Sequence, residues 1–263
     1  MMRVKILCAL VLSCCLSGFA ADAGAGITYH GGPVILVAKV VNIFWGPGFA
    51  NPASPDYVYA QTMNSFRNQF GTTAEYAVIT QYYQIVGGVQ QYIQPSNLGA
   101  GTADWFDTST PPTNVTDAAV RSKIQSYLAT HPFDPSTIYE VFLPSASYSS
   151  NGSSTSCGGP GLAYCTYHNF FTSGANQVKY TVQPYPSCSG CKVSGWSNAQ
   201  NQEHFVANST RATVTNPLFN AWYDSVTGTE MGDKCLWSPA PFLNGGYGYP
   251  YEWSNAVNAC VKR

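Results

Sequence analysis

The length, composition and charge of the chain limit what kind of protein it is. It has 263 residues, of which only 10% are charged, with 12 Lys and Arg against 13 Asp and Glu. Without a basic surplus the chain lacks the electrostatic footprint of nucleic-acid binding, so no nucleic-acid partner is expected. We predict one large domain over residues 21–263, because that length suits a single core and no linker interrupts it.

Residues 1–20 predict a secretory signal peptide. Arg3 and Lys5 precede an apolar run, and small residues surround Ala20 at the expected cleavage site. We therefore expect a secreted, extracellular protein with a formal charge of −3 after cleavage, from ten basic and thirteen acidic residues. No later stretch is apolar enough to predict a membrane span.

The first half of the mature chain predicts a central strand followed by a helix. Residues 34–45 are β-branched and aromatic on both alternating faces, which is typical of a strand covered on two sides. Residues 54–70 begin with Ser-Pro-Asp, a helix-capping sequence, and carry an apolar stripe that we assign to the core. Residues 73–86 favour a helix and then an extended piece, and residues 87–113 favour long loops.

The second half predicts a helix, an inner strand and a hairpin. A capped helix is expected from Thr116 to about residue 131, and an inner strand over residues 138–143. Residues 145–156 are rich in serine and are expected to form a surface loop. Residues 164–171 and 178–185 predict a hairpin, which excludes an all-parallel sheet. The expected fold is therefore α/β, a mixed sheet packed by helices, with α+β as the alternative.

Six cysteines remain after the predicted signal peptide, an even number that predicts disulfides in an oxidising compartment: Cys157, Cys165, Cys188, Cys191, Cys235 and Cys260. Spacing does not fix their connectivity. We favour sequence-local pairs, Cys157 with Cys165, Cys188 with Cys191 and Cys235 with Cys260, because each closes a Gly- or Pro-rich loop. Cys188 and Cys191 also fit a redox pair, although the strand and helix that flank such a pair are not predicted here.

Three N-glycosylation acceptor sequences predict that the protein is a glycoprotein. They are Asn114-Val-Thr, Asn151-Gly-Ser and Asn208-Ser-Thr.

The segment TVTNPLFNAWYDSVTGTEMGDKC, residues 213–235, resembles the hallmark segment of the EXORDIUM and phosphate-induced protein 1 family of secreted proteins. The resemblance extends to GGPVILVAKVVNIFWGP, FRNQFGTTAEYAVITQYY, CGGPGLAYCTYH and EWSNAVNAC, and so covers nearly the whole mature chain. It implies a role in the extracellular space, with extracellular-matrix or cell-wall components as partners.

The resemblance also implies a helix at about 198–215 that lies against the sheet as in zincins. In relatives that keep it, this helix carries H-E-x-x-E, a metallopeptidase-like motif in which residues on one face reach a zinc ion. The corresponding positions here are Asn208, Ser209 and Ala212. An amide, a hydroxyl and a methyl group do not replace those ligands and base. We therefore predict a pseudoenzyme with no catalytic residue, no metal and no cofactor, acting as a monomer.

Two other functions remain open from the sequence. A zinc-dependent hydrolase would need a rearranged site, for which the available residues are His168, His204, Asp224 and Glu230. The simpler interpretation is that His168 is a hydrogen-bonded residue of the hairpin and that Asp224, Glu230 and Asp233 hold their loop. A carbohydrate-binding protein would instead use the glycine-aromatic stretch of residues 242–251, if its rings are exposed.

Overall fold

The computed structural model describes residues 26–263, and the predicted signal peptide lies outside the described residues. The described chain has four α-helices: α1 (Pro55–Phe70), α2 (Ala74–Ala77), α3 (Asp117–Leu128) and α4 (Asn198–Thr215). Single 3₁₀ turns occur at Pro47–Ala50, Val78–Gln81 and Ser189–Cys191. Within residues 26–263, none of the helices has the length and apolarity needed to cross a membrane.

Short strands make up the rest of the regular structure. In chain order they are β1 (Thr28–Tyr29), β2 (Lys39–Trp45), β3 (Tyr83–Val86), β4 (Val89–Tyr92), β5 (Trp105–Asp107), β6 (Asn114–Thr116), β7 (Thr137–Phe142), β8 (Tyr148–Asn151), β9 (Ser154–Thr155), β10 (Tyr167–Ser173), β11 (Asn176–Gln183), β12 (Trp222–Tyr223), β13 (Phe242–Asn244), β14 (Tyr247–Tyr249), β15 (Glu252–Ser254) and β16 (Ala259–Val261).

A five-stranded mixed sheet organises the fold. Its strand order is β10-β11-β7-β2-β5, in which β11, β7, β2 and β5 are parallel and β10 runs antiparallel at one edge. The predicted α/β fold with a mixed sheet is confirmed, and the hairpin β10–β11 is the feature that prevents an all-parallel sheet, as predicted.

Both faces of the sheet are covered by helices. Val40 and Phe44 of β2 face α1 and α4, whereas Val41 and Ile43 face α3. This alternation, with period two, leaves every residue of β2 after Lys39 buried. The continuous apolar run in the sequence is the direct consequence of burial on two sides.

The predicted helices are confirmed because their caps are local. Ser54 Oγ accepts the amide of Asp56, and Thr116 Oγ1 accepts the amide of Ala119. Helix α4 begins with a capping box between Ser197 and Gln200. The predicted central strand was too long, since β2 begins at Lys39 and the preceding residues bond elsewhere, Ile35 N donating to Val214 O at 2.9 Å.

The serine-rich segment is not the surface loop that was predicted. It contains β8 and β9, which form a small sheet with β6, and Ser149, Ser150 and Ser156 are buried. Hydrogen bonds replace the apolar contacts: Ser156 Oγ accepts the amide of Ser149 at 2.9 Å, and the Ser149 and Tyr164 hydroxyls lie 2.9 Å apart.

Two of the three predicted disulfide pairings were wrong. The bridges are Cys157–Cys188, Cys165–Cys191 and Cys235–Cys260, of which only the last was predicted. The hairpin β10–β11 returns the chain beside its starting point, so the cysteines before it meet those after it. Cys188 and Cys191 belong to separate bridges, which contradicts the redox-pair alternative.

Candidate binding cleft

Helix α4 is held against the sheet by polar contacts as well as apolar ones. Thr210 Oγ1 donates to Glu140 Oε1 on β7 at 2.6 Å, and Ser209 Oγ accepts from Gln183 Nε2 on β11 at 2.8 Å. The helix ends at Thr215, two residues before Pro217, which has no amide to continue it. The chain then turns into a loop over residues 216–235 that lies across one end of α4.

The three helix positions singled out by the sequence face one cavity. Asn208, Ser209 and Ala212 line a space of about 250 Å³, since Ala212 lies three and four residues after the other two and so shares a helix face with each. The opposite walls are His168 of β10 and the loop residues Glu230 and Asp233, with Thr166, Tyr167 and Phe219 completing the lining. We call this space the α4 cleft.

An imidazole–carboxylate pair forms one wall of the α4 cleft. His168 Nε2 lies 2.7 Å from Glu230 Oε2, and both side chains are largely buried. The other Glu230 oxygen accepts from Asn216 Nδ2 at 2.6 Å, which fixes the carboxylate at the end of α4. His168 Nδ1 is buried with no hydrogen-bond partner among residues 26–263, so this wall retains an unused polar atom.

The second acid of the cleft is held less tightly. Asp233 Oδ1 accepts from Asn208 Nδ2 at 3.4 Å, and Asn208 Oδ1 is buried without a partner in the described chain. Burial, and secondarily the neighbouring Glu230, raise the pKa of the Asp233 carboxyl. The cleft therefore combines excess negative charge with incompletely satisfied polar groups.

Ser209 is not arranged as a nucleophile. Its hydroxyl donates to Phe205 O at 2.9 Å and accepts from Gln183 Nε2. The chain of hydrogen bonds continues from Gln183 through Gln202 to Tyr59. A hydroxyl that both donates and accepts hydrogen bonds within the core is not positioned to attack a substrate.

The alternative metal-ligand set does not assemble. His168 and Glu230 meet, but His204 points elsewhere, with Nδ1 3.0 Å from Asn201 O and its ring 5.1 Å from that of Trp237. Burial lowers the pKa of His204 to about 3. Asp224 accepts the amides of Val226 and Thr227, the loop-holding role that the sequence suggested.

The donor atoms of the described residues do not fit a zinc site. Zinc takes about four ligands at roughly 2.0–2.3 Å. Within residues 26–263, the one group of three His, Cys, Asp or Glu donor atoms within 4.8 Å of one another consists of Cys157, Cys188 and Cys191. All three sulfurs are already used in disulfides, and we derive no chemistry through a metal.

The predicted modification sites differ in accessibility. Asn114 and Asn151 are exposed and remain predicted glycan acceptors. Asn208 is only 5% exposed and lies within α4, with its amide directed at Asp233. The folded chain leaves no room for a glycan there, so this prediction was wrong.

The glycine-aromatic stretch forms the hairpin β13–β14, and in this stretch Tyr249 is buried while Tyr247 and Tyr251 remain half-buried. Tyr249 is buried against Phe66 and Phe70, and its hydroxyl accepts from Gln69 Nε2 at 2.8 Å. Its ring covers α1, which contradicts a sugar-binding role for this residue.

One edge of the central sheet borders the α4 cleft. Strand β10 pairs only with β11 among the described strands. The amide of Phe170 donates instead to the side chain of Asn169 at 2.8 Å. His168 and Phe170 contact Phe219 of the loop, whereas Tyr167 and Phe171 face α3.

Sequence reasoning missed the buried polar groups that hold α4 in this arrangement, among them Glu140 and Gln183. They belong to no motif and come together only through the tertiary fold. Comparison of the chain with models of protein families, with curated proteins and with solved structures found no match.

Proposed function

We propose that the protein is a secreted, non-catalytic binding protein of the EXORDIUM type that acts on matrix or cell-wall components. In this proposal the α4 cleft holds an extended segment of a protein partner. The observation that carries it is the juxtaposition of an open strand edge with a cleft in which the helix positions bear an amide, a hydroxyl and a methyl group.

The open edge of β10 supports binding of an extended chain. A sheet edge offers a row of backbone donors and acceptors to which a peptide adds as a further strand. Backbone hydrogen bonds then supply affinity, and alternate side chains of the peptide enter neighbouring pockets. The α4 cleft lies where one such side chain would enter.

The charge of the cleft favours a basic side chain from the partner. Glu230 and Asp233 provide two carboxylates, and the raised pKa of Asp233 indicates that its charge is poorly compensated. A Lys or Arg side chain would supply that compensation and would form charge-assisted hydrogen bonds.

Peptide selection on the folded, disulfide-intact protein tests the proposal. Extended peptides with a central Lys or Arg should be enriched, and Asp233→Asn should weaken their binding by about tenfold, the value of a charged hydrogen bond. Asp56→Asn, on α1 and outside the cleft, serves as the matched control and should leave binding unchanged. Absence of any peptide that depends on Asp233 would refute the proposal.

The zinc-hydrolase alternative keeps one supporting observation, the contact between His168 and Glu230. Metal analysis of the purified protein tests it directly. Stoichiometric zinc that is lost in His168→Ala, together with metal-dependent peptide cleavage, would replace the non-catalytic proposal with this one.

A further inference from the structure

A second cavity lies on another part of the molecule. Its volume is about 730 Å³, within the range of roughly 300–1,000 Å³ that is typical of small-molecule sites. It lies where residues 33–37, the loop before β7, the turn of the β10–β11 hairpin and residues 217–218 meet. None of its lining residues lines the α4 cleft.

The walls of this cavity are mostly apolar. The apolar lining comprises Pro33, Val34, Ile35, Leu36, Val37, Phe133, Pro135, Ala175, Pro217 and Leu218. Neutral polar side chains such as Gln84, Asn176 and Gln177 contribute the remainder, apart from one charged residue, Lys179. The cavity therefore has a single ionic group in an apolar surround.

Lys179 is unusual because it is buried without an acidic partner. Its exposure is 8%, and Nζ donates to Pro135 O at 2.6 Å with the Phe133 ring centre at 5.9 Å. No carboxylate of the described chain lies within 4.0 Å of it; the neighbouring Asp134 is paired with Lys39 at 2.8 Å. Burial lowers the pKa of Lys179, which Asp134 only partly offsets.

A buried ammonium group without a counter-ion is costly, and an anion that enters the same apolar space lowers that cost. Apolar walls favour a ligand that also loses hydrocarbon surface from water on binding. Together, one cation and an apolar cavity define a ligand with one anionic group and an apolar body.

We propose that this cavity binds a small amphipathic carboxylate, with its carboxylate on Lys179 Nζ and its hydrocarbon chain along the apolar walls. The role is independent of the peptide-binding function proposed above, because the two sites share no lining residue.

Calorimetric titration of the full folded protein with octanoate, and with octanol as the neutral analogue, tests the proposal. Octanoate should bind about tenfold more tightly than octanol, as expected for one charge-assisted contact. Lys179→Met should abolish this preference while leaving octanol binding within about twofold. Lys179→Arg should retain the preference, and Lys192→Met, at an exposed position outside the cavity, should not alter it.

A variant at the cavity wall keeps the test valid if Lys179→Met fails to fold. Val37 is 49% exposed and lines the cavity, so Val37→Glu should fold normally. The added carboxylate should weaken octanoate binding and leave octanol binding unchanged, with Val37→Gln as the isosteric neutral control. Failure of octanoate to bind, equal affinity for octanoate and octanol, or an unchanged preference in Lys179→Met or Val37→Glu would overturn the proposal.

Discussion

Individual buried acids shape the stability of this chain. Glu140 and Glu203 are buried, and desolvation raises the pKa of each to about 7. Glu140 accepts one hydrogen bond from Thr210, while its second oxygen has no partner in the described chain. Glu252 lies 2.5 Å from the buried guanidinium of Arg211, yet burial raises its pKa to about 7 as well. All three buried glutamates therefore make folding sensitive to pH.

Replacing Glu140 by Gln should stabilise the fold at high pH but not at low pH. The pKa of Glu140 is about 7 in the folded chain against an ordinary value of 4.5. The stabilisation that comes from protonated Glu140 in the folded chain is therefore fully present below about pH 4.5 and is lost as pH rises through 7. Urea unfolding should show Glu140→Gln gaining up to about 3 kcal/mol over the parent at pH 8, and little at pH 4.5.

The difference between variant and parent isolates this effect from that of His204. The pKa of His204 is lowered to about 3, so its effect on stability runs in the opposite direction: the folded chain loses stability as pH falls from about 6.5 towards 3. Because both proteins contain His204, its contribution cancels in the difference. A difference that is constant from pH 4.5 to pH 8 would show that Glu140 does not titrate as inferred.

Helix α4 is the element on which the site depends. Asn208 and Ala212 are four residues apart and line the same cleft as His168, Glu230 and Asp233. Their side chains therefore line the same cavity, even though they carry no ligand atoms suited to zinc.

Introducing ligands at these two helix positions should create a metal site. The double substitution Asn208→His with Ala212→Glu places an imidazole and a carboxylate one turn apart, next to the acids of the loop. Calorimetry should show about one zinc bound per chain, at least tenfold tighter than in the parent. Asn208→His alone is the control, since one added ligand should not suffice. No gain in the double variant would show that the helix face is wrongly oriented for a metal.

The helices could be predicted from local sequence signals, whereas the α4 cleft could be recognised only from the tertiary fold. Ser54, Thr116 and Ser197 cap helices through contacts within three residues, so their pattern is visible in the sequence. The crossed disulfides and the contact of His168 with Glu230 join residues 25 to 62 apart. Such pairs follow from strand order, which spacing alone does not specify.

Packing of the hairpin β13–β14 on α4 depends on Gly248. A Cβ atom there would lie 2.2 Å from the backbone oxygen of Gln200, and the Gly248 amide donates to Glu203 at 2.8 Å. Gly248→Ala should therefore reduce the free energy of unfolding by about 1–3 kcal/mol, as overpacking does. Gly161→Ala, with no atom within 4 Å of the added methyl, should change it by less than about 0.5 kcal/mol in the same denaturation experiment.

At the scale of the whole molecule, the three disulfides differ in the segments that they join. Cys157–Cys188 and Cys165–Cys191 both tie the start of the β10–β11 hairpin to the segment after it. Cys235–Cys260 instead joins the end of the α4-cleft loop to β16 near the C-terminus. The first two bridges are therefore redundant with each other, and the third has no substitute among the described residues.

This difference predicts that removing each bridge lowers the free energy of unfolding by a different amount. Cys235→Ser with Cys260→Ser opens a loop with a sequence separation of 25, for which chain entropy gives a loss of about 3.5 kcal/mol. Cys157→Ser with Cys188→Ser should cost less, because Cys165–Cys191 still closes nearly the same loop. Guanidinium unfolding under oxidising conditions measures both. Equal losses of stability in the two double variants would contradict the redundancy. Unchanged peptide binding after loss of Cys235–Cys260 would show that the cleft is intact and that the loop is held by Glu230 and Asp224 alone.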